Sequence, residues 1–239
     1  MHPTILPAGD SAFVFQLGTE VSSGINDRII ALAEAIAAAA PEGLIELVPT
    51  YRSLMVCYDP VRVRGRDLAA QVCGIYEALG PVGAATRRIT VPCVYGGPVG
   101  QDLDELAEMK GLTPAEVIAL HSGADYRVYM IGFAPGFAYL GGLPEKLHTP
   151  RLKVPRQHIP AGALGIGGQQ ASISSVAGPS GWRFLGWTPV RAFAPESATP
   201  FLFRAGDRIR FRAVEQKEAD EMLKRQAAGE SIVDIELPQ

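Results

Sequence analysis

The stretch that decides the fold, residues 126–189, reads YRVYMIGFAPGFAYLGGLPEKLHTPRLKVPRQHIPAGALGIGGQQASISSVAGPSGWRFLGWTP. It opens with a strand-like run at residues 128–133 and then becomes dense in Gly and Pro, which set unusual backbone geometry rather than fill a core. Its middle, residues 145–158, contains one acid and the following basic or imidazole side chains: Lys146, His148, Arg151, Lys153, Arg156 and His158. Such a segment indicates a site that holds an anion in a defined place.

The apolar pieces in the second half of the chain are short and are separated by Gly and Pro. They lie at residues 128–133, 163–166, 184–185 and 201–203. Residues 208–212 then alternate Arg with Ile and Phe, which is the period of a strand with one buried face. Many short strands with turn signals and few helices favour a β-barrel or a sandwich.

The first 95 residues predict a separate α+β domain. Their hydrophobic periodicity gives the order β-α-β-β-α-β, which is that of a ferredoxin-like unit, with residues 88–95 as its last strand. Residues 80–85 form a weak seam inside or after this unit, and the Gly-Gly-Pro at residues 96–98 is the predicted boundary. The sequence therefore predicts two domains, residues 1–95 and residues 96–239, and the second carries the site.

Composition narrows the class of protein. The chain has 239 residues, 47% of them hydrophobic, and a net charge of −3, which argues against non-specific nucleic-acid binding. No apolar run approaches the ~20 residues of a membrane span, and no signal peptide is visible. Cys57, Cys73 and Cys93 are not in CxxC spacing, so free thiols and a cytoplasmic location are expected. The His and Cys residues show no metal-ligand spacing, so no metal site is expected.

The motif GFAPGF at residues 132–137 leaves a strand and turns sharply. Its two Gly allow backbone conformations that are closed to other residues, and its two Phe can wall a pocket. We therefore predict that Phe133, Pro135, Gly136 and Phe137 bind substrate. The alternative is a structural turn whose aromatic side chains pack inward.

Two Pro-Arg steps, Pro150-Arg151 and Pro155-Arg156, place a guanidinium after a fixed backbone angle. This is a way to preorganise a fork-shaped donor for a carboxylate or a phosphate. We predict Arg151 and Arg156 as catalytic residues, and a solvated basic loop is the alternative. Gln169, in a Gly-rich turn, is predicted to orient a water or an amide; an exposed polar side chain without a role is the alternative.

Three further residues complete the predicted substrate-binding set. His158 could donate a hydrogen bond or carry a proton, Ser180 lies in the tight turn GPSGW, and Trp182 could wall a pocket or belong to the core. A covalent serine mechanism is not expected, because the chain has no GxSxG elbow and no recognisable acid-base partner. His121 is interpreted as a cation near the end of its helix. The residues themselves thus indicate a small-molecule anion or amide site in a β-rich domain, without naming a reaction.

The ordered series GFAPGFAYLGGLP, PR with PR, PAGALGIGGQQ, GPSGW, LGWTP and AGDR resembles the family variously called allophanate hydrolase subunit 1, KipI, or the PxpB subunit of bacterial 5-oxoprolinase. The resemblance runs over nearly the whole chain. It implies an N-terminal α+β domain followed by a C-terminal cyclophilin-like β-barrel domain.

The resemblance also implies a function. The chain is expected to be the small subunit of an ATP-dependent 5-oxoprolinase-type hydrolase of a lactam or amide, with ATP and Mg²⁺ as co-substrate of the complex. The implied partners are a larger paralogous subunit of the KipA or PxpC type (allophanate hydrolase subunit 2) and a PxpA-type third subunit. The alternatives are a KipI-like regulator that binds a histidine kinase and a carboxyltransferase-like subunit of a urea carboxylase. Neither nucleic acid nor a membrane is an expected partner.

This chain departs from the usual pattern of that family at three positions. Ser174, Ser180 and Trp187 stand where the family commonly has Tyr, Gly and Arg. The resemblance therefore implies either a changed substrate or a member that keeps only the partner surface.

Overall fold

The computed structural model describes residues 2–82 and 86–237. The chain divides into two compact units, Met1–Ala85 and Thr86–Gln239, and each is described by itself. No helix in the described ranges is long and apolar enough to cross a membrane.

The first unit is an antiparallel sheet of four strands with two helices. Its elements are β1 (Thr4–Pro7), β2 (Ala12–Gln16), α1 (Ser23–Ala39), β3 (Leu44–Pro49), β4 (Ser53–Tyr58) and α2 (Gly65–Ala78). The sheet order is β1-β2-β4-β3. Alternate strand residues point to one face of a sheet, and here Phe13, Phe15, Leu54 and Val56 share a buried core with the apolar stripes of both helices.

The predicted strand order of the first unit is wrong at both ends. The edge beside β2 is taken by β1, which sequence periodicity did not identify. Residues 88–95 form a strand of the second unit instead. Alternation along a strand identifies its faces but not its neighbour, and the partner of residues 88–95 lies far along the chain at residues 208–213.

The division between the units also lies elsewhere than the sequence indicated. It falls between residues 85 and 86 rather than after residue 95. Residues 83–85 of the predicted seam lie outside the described residues.

The second unit contains most of the strands. Its elements are β5 (Arg88–Tyr95), α3 (Leu103–Lys110), α4 (Pro114–Ser122), β6 (Tyr126–Ile131), β7 (Ala138–Gly141), a 3-10 helix (Glu145–Leu147), β8 (Arg156–Ile159), β9 (Ala163–Gly167), β10 (Gln170–Ile173), β11 (Gly178–Ser180), β12 (Arg183–Trp187), β13 (Arg208–Ala213), α5 (Gln216–Ala227) and β14 (Asp234–Glu236).

Seven of these strands close into a barrel. They follow the order β12-β9-β10-β7-β6-β13-β5, and β5 pairs back with β12 through Tyr95 and Val94. The β13–β5 pair is parallel, and the other pairs of the ring are antiparallel. The prediction of a β-barrel in the second half of the chain is therefore confirmed, within a mixed α and β protein.

The barrel encloses a packed core. Side chains such as Val91, Val128, Leu140, Leu164 and Ile166 belong to one buried cluster. In a small barrel the inward side chains fill the lumen, so a ligand site has to lie elsewhere.

A two-stranded ribbon, β8 with β11, covers part of the outer face of the barrel. A separate buried cluster joins Ile159 of β8 to Ala163 of β9 and to Phe137, Trp182 and Phe184. Because side chains alternate along a strand, these barrel residues point away from the lumen. The segment that sequence analysis singled out thus folds onto the outside of the barrel.

Candidate functional site

A cleft of about 410 Å³ lies between the outer face of the barrel and the ribbon. Its volume is within the range of about 300–1,000 Å³ that is typical of small-molecule sites. The side chains that give it character are those of Phe133, Phe137, Tyr139, Arg151, Ser174 and Trp182.

Aromatic rings form one wall of the cleft. The Phe137 ring centroid lies 4.9 Å from that of Tyr139 and 6.1 Å from that of Trp182, both in edge-to-face geometry. Tyr139 follows the inward-facing Ala138 on β7, so its side chain is directed outward. Burial raises the pKa of the Tyr139 phenol, which is therefore a neutral group that can donate a hydrogen bond.

Arg151 brings positive charge to this aromatic wall. Its guanidinium carbon lies 4.7 Å from the centroid of the Trp182 ring, within the range of a cation–π interaction. Among the residues that the structure describes, Arg151 has no ion pair or hydrogen bond. Its planar fork of donors is therefore oriented by Trp182 and left unpaired, which suits a carboxylate or phosphate oxygen pair.

Two glycines of β9 allow Arg151 and Trp182 to lie flat on the barrel. A Cβ at Gly167 would lie 2.9 Å from Cγ of Arg151 and 3.2 Å from Cε3 of Trp182. A Cβ at Gly165 would lie 3.1 Å from Cβ of Trp182. Ile166 between them points into the barrel core. The Gly-Ile-Gly run of β9 thus provides the flat surface on which Arg151 and Trp182 pack.

Phe133 lies at the mouth of the cleft in a strained turn. Its φ of 66° is in the left-handed region, which is costly for a bulky side chain. The amide of Ala134 donates to the carbonyl of Gly132 at 2.8 Å, so Phe133 is the central residue of a three-residue turn. The Phe133 side chain is 79% exposed. This turn is thus held by hydrogen bonds and presents an aromatic ring to solvent.

The neighbouring Pro135 and Gly136 do not line the cleft. Gly136 has a φ of 73°, and a Cβ there would lie 3.1 Å from the Ala192 carbonyl oxygen and from Cβ of Phe193. Gly136 is therefore needed for close packing of the loop, and the structure gives it no exposed face toward a ligand.

Arg156 is engaged in a buried ion pair. Its Nη2 lies 2.6 Å from Oδ1 of Asp102, and its Nη1 lies 2.8 Å from Oδ2. Asp102 is buried and also accepts a hydrogen bond of 2.6 Å from the Phe184 amide. Arg156 thus joins the ribbon to the segment before α3, and its charge is already neutralised.

Gln169 and His158 are exposed, and neither lines the cleft. Ser180 lines it, and its Oγ accepts a hydrogen bond of 3.2 Å from the Trp182 amide. The structure therefore gathers one part of the predicted set at the cleft: Phe133, Phe137, Arg151, Ser180 and Trp182. It places the other part outside: Pro135, Gly136, Arg156, His158 and Gln169.

Sequence reasoning did not assign Tyr139 or Ser174 to the substrate-binding set, although both line the cleft. Tyr139 pairs with Ser172 across β7 and β10, and Ile173 between Ser172 and Ser174 points into the core. Period-2 alternation read from Ala138 and Ile173 would have placed both residues on the outer face. The sequence alone did not show that the outer face is the functional one.

Trp187 lies away from this cleft. Its Nε1 donates to the Ala161 carbonyl at 3.0 Å, and its ring borders a second cleft of about 530 Å³ together with Arg191 and Leu223. The departure at Trp187 therefore does not change the lining of the first cleft, whereas Ser174 and Ser180 do line it.

His121 is a neutral, buried residue rather than a helix-end cation, which corrects the interpretation from the sequence. Burial lowers its pKa to about 3. Its Nδ1 lies 2.7 Å from the Tyr95 hydroxyl oxygen, and its ring stacks on Phe211 with a centroid distance of 4.6 Å. His121 thus belongs to the interior of the second unit.

The chain is similar to known proteins over most of its length. A family model described as carboxyltransferase domain, subdomain C and D, matches residues 3–203. The B subunit of 5-oxoprolinase from Bacillus subtilis is 37% identical over 225 residues, which cover 88% of this chain and 92% of that protein. The B subunit of 5-oxoprolinase from Haemophilus influenzae is 38% identical over 207 residues, which cover 87% of this chain and 96% of that protein.

A solved structure shares the fold at low identity. The urea carboxylase of Kluyveromyces lactis superposes with a TM-score of 0.82 at 18% identity, over 98% of this chain and 24% of that chain. This match concerns the fold alone.

Proposed function

The chain belongs to the carboxyltransferase domain family, subdomains C and D, and from this membership we propose that it is the small subunit of a 5-oxoprolinase-type enzyme. In this proposal the complex uses ATP to open the lactam of 5-oxoproline or a related cyclic amide. The barrel is then of the cyclophilin-like type, and the first unit is a ferredoxin-like variant in which β1 takes the place of the last strand.

The observation that carries the proposal is the unpaired Arg151 guanidinium in an aromatic cleft. 5-Oxoproline is a compact ring with one carboxylate, and a guanidinium fork binds a carboxylate through two parallel N–H donors. No Asp or Glu lines the cleft within the described part of the chain, so nothing there repels an anion.

The proposed reaction begins with attack of the lactam oxygen on the γ-phosphorus of ATP, and ADP leaves. Water then opens the activated ring and releases phosphate, which gives the open amino acid. Phosphoryl transfer needs cations where charge develops on the phosphoryl oxygens. Arg151 is the residue of this chain that we assign either to that charge or to the substrate carboxylate.

Mg²⁺ enters this proposal with ATP. It is commonly held by substrate phosphates and one or two carboxylates rather than by a dedicated protein cage. In residues 2–82 and 86–237 no group of three or more His, Cys, Asp or Glu side chains could hold a metal ion. We therefore assign the ion to the ATP phosphates and to the larger subunit.

The partners follow from the same proposal. The relatives are each named as one subunit of an enzyme, which implies a complex of several chains. We propose a larger paralogous subunit of the PxpC or KipA type and a PxpA-type third subunit. We expect the active site to be formed by this chain and the larger subunit together. This chain offers an anion-binding group in the cleft but no recognisable nucleotide-binding loop, so the larger subunit is expected to bind ATP.

The test is co-expression with the larger subunit, followed by an assay of 5-oxoproline-dependent ATP hydrolysis with and without the third subunit. Arg151→Ala is expected to raise KM about 10- to 100-fold, because a hydrogen bond to a charged group contributes about 1.5–3 kcal/mol. Lys153→Ala, in the same loop but outside the cleft lining, is the matched control and should behave as the unaltered complex.

Normal kinetics in the Arg151→Ala complex would contradict the assignment of the cleft. Tight binding of a histidine kinase by this chain alone, with no turnover in the reconstituted complex, would favour the regulator instead.

A further inference from the structure

The cleft is larger and more aromatic than 5-oxoproline requires. That compound is one five-membered ring with a carboxylate, whereas a volume of about 410 Å³ is typical of sites for drug-sized molecules. Phe133 is 79% exposed at the cleft mouth and Tyr139 is half-buried, while Phe137 and Trp182 line the cleft and are each only 6% exposed. A small polar ring would leave the exposed part of this aromatic lining uncovered. Apolar surface left open to water is an unused source of binding free energy.

Two hydroxyl groups in the cleft are available to a ligand. Neither the Ser174 hydroxyl nor the Tyr139 hydroxyl makes a hydrogen bond within the part of the chain that the structure describes. Ser174 is 4% exposed and lines the cleft, so a ligand that enters the cleft can bond to its hydroxyl. Its small side chain also leaves room beside Phe137, which lies opposite it in the continued register of β7 and β10.

We propose that the cleft accepts a cyclic amide carboxylate that carries an additional apolar substituent. The carboxylate lies on Arg151, the substituent packs against Phe137, Tyr139 and Trp182, and the Ser174 hydroxyl bonds to the ring amide. This inference rests on the proposed function and deepens it, because it names the substrate class rather than the reaction.

The experiment compares 5-oxoproline with a 5-oxoproline that bears a benzyl group on a ring carbon, both on the reconstituted complex with ATP. Binding is followed by the intrinsic tryptophan fluorescence of the complex, and turnover is followed by ADP release. The substituted compound is expected to have a kcat/KM at least about 10-fold higher, since even one methylene in an apolar pocket discriminates by about 10- to 200-fold.

Two variants fill the cleft from different sides. Ser174→Tyr narrows the floor, and Val176→Trp narrows the rim, where Val176 is 38% exposed and its replacement should not disturb folding. Val176→Trp should reduce kcat/KM for the substituted compound about 10-fold or more and leave 5-oxoproline within about 2-fold. Ser174→Tyr also removes the hydroxyl assigned to the ring amide, so it should weaken both compounds and the substituted one more strongly. Ser174→Ala keeps the room and removes the hydroxyl, so it should weaken both compounds alike.

The outcomes separate this inference from the proposed function. Turnover that favours unsubstituted 5-oxoproline, with Val176→Trp affecting both compounds equally, would overturn the inference and leave the proposed function standing. Tighter binding of the substituted compound without turnover of either would support the inference and count against the proposed reaction. Absence of binding by both compounds would overturn both.

Discussion

The guanidinium carbon of Arg151 lies 4.7 Å from the centroid of the Trp182 ring, and both side chains rest on Gly167 of β9. The stacked geometry orients the donor fork without using any of its N–H groups. Trp182 and Phe184 come directly after β11 of the ribbon in the sequence. The Asp102 carboxylate accepts hydrogen bonds from the Phe184 amide, near the start of β12, and from the Arg156 guanidinium on β8. The site is thus built from three segments laid on the outside of a filled barrel.

The first prediction concerns Gly167. Gly167→Ala places a methyl group 2.9 Å from Cγ of Arg151, so the stacked pair has to shift. We expect KM to rise about 10-fold in the reconstituted complex, because a lost charge-assisted hydrogen bond costs about 1.5–3 kcal/mol. Steady-state kinetics measures this effect.

Gly74→Ala is the matched control, since a Cβ there meets nothing within 4 Å and Gly74 lies in α2, outside the cleft lining. Equal kinetics for both alanine variants would show that the flat surface under Arg151 is not needed.

The second prediction concerns the ion pair of Arg156 with Asp102. Asp102 has a side-chain exposure of 1%, and truncation of one partner of a buried pair typically destabilises by about 3–5 kcal/mol. Because Arg156 keeps partial access to water, we expect the lower end, about 3 kcal/mol, for Asp102→Ala. Urea unfolding at neutral pH measures the change in the free energy of unfolding.

The exposed pair of Arg225 with Glu230 provides the comparison. Glu230→Ala should change the free energy of unfolding by no more than about 1 kcal/mol. A loss of similar size in the two alanine variants would contradict the structural role given to Asp102.

Part of the cleft lining could be predicted from the sequence, because the signals for those residues depend only on adjacent positions in the chain. Pro150 before Arg151 and the Gly residues around Phe133 are signals that depend on adjacent positions, and the structure brings Arg151 and Phe133 to one cleft. Arg156 also follows a Pro, as Arg151 does, but Arg156 has a carboxylate partner and Arg151 has none among the described residues. Asp102, 54 residues earlier, neutralises it, and no local pattern specifies so distant a contact.

The fold shows the same limit. Turn residues and alternation predicted a β-barrel or a sandwich, since each strand carries its own periodicity, and the family resemblance favoured the barrel. The neighbour of Arg88–Tyr95 is a separate matter, because its parallel partner Arg208–Ala213 lies far along the chain and the pairing depends on closure of the ring. The unit boundary was misplaced for this reason.

The third prediction concerns His121 and pH. Burial lowers its pKa to about 3 from an ordinary value of 6.5, so the unfolded chain binds a proton below pH ~6.5 that the folded chain does not. The free energy of unfolding should therefore fall as the pH drops from ~6.5 toward ~3, by at most about 1.4 kcal/mol per pH unit from this residue. Urea unfolding at several pH values measures the slope.

His121→Gln removes the titrating ring and keeps a side-chain oxygen for the Tyr95 hydroxyl. At pH 8, where the histidine is neutral in both the folded and the unfolded chain, the variant should be less stable only because its side chain packs differently. Below pH ~6.5 its free energy of unfolding should fall less steeply than that of the unaltered chain. An unchanged slope would show that other groups control the acid sensitivity.

The last prediction concerns the strained turn at Phe133. Phe133→Gly relieves a φ of 66° and should raise the free energy of unfolding by about 1 kcal/mol, because left-handed backbone costs about 1–2 kcal/mol for residues with a Cβ. Phe133→Ala removes the same ring but keeps the strain, so the difference between the two variants isolates the backbone cost. Both variants should lower kcat/KM by about 10-fold, since they remove an aromatic group from the cleft mouth. Gain of stability in the Gly variant with full activity would mean that the exposed ring has no part in binding, and equal stability of the two variants would mean that the turn stores no strain.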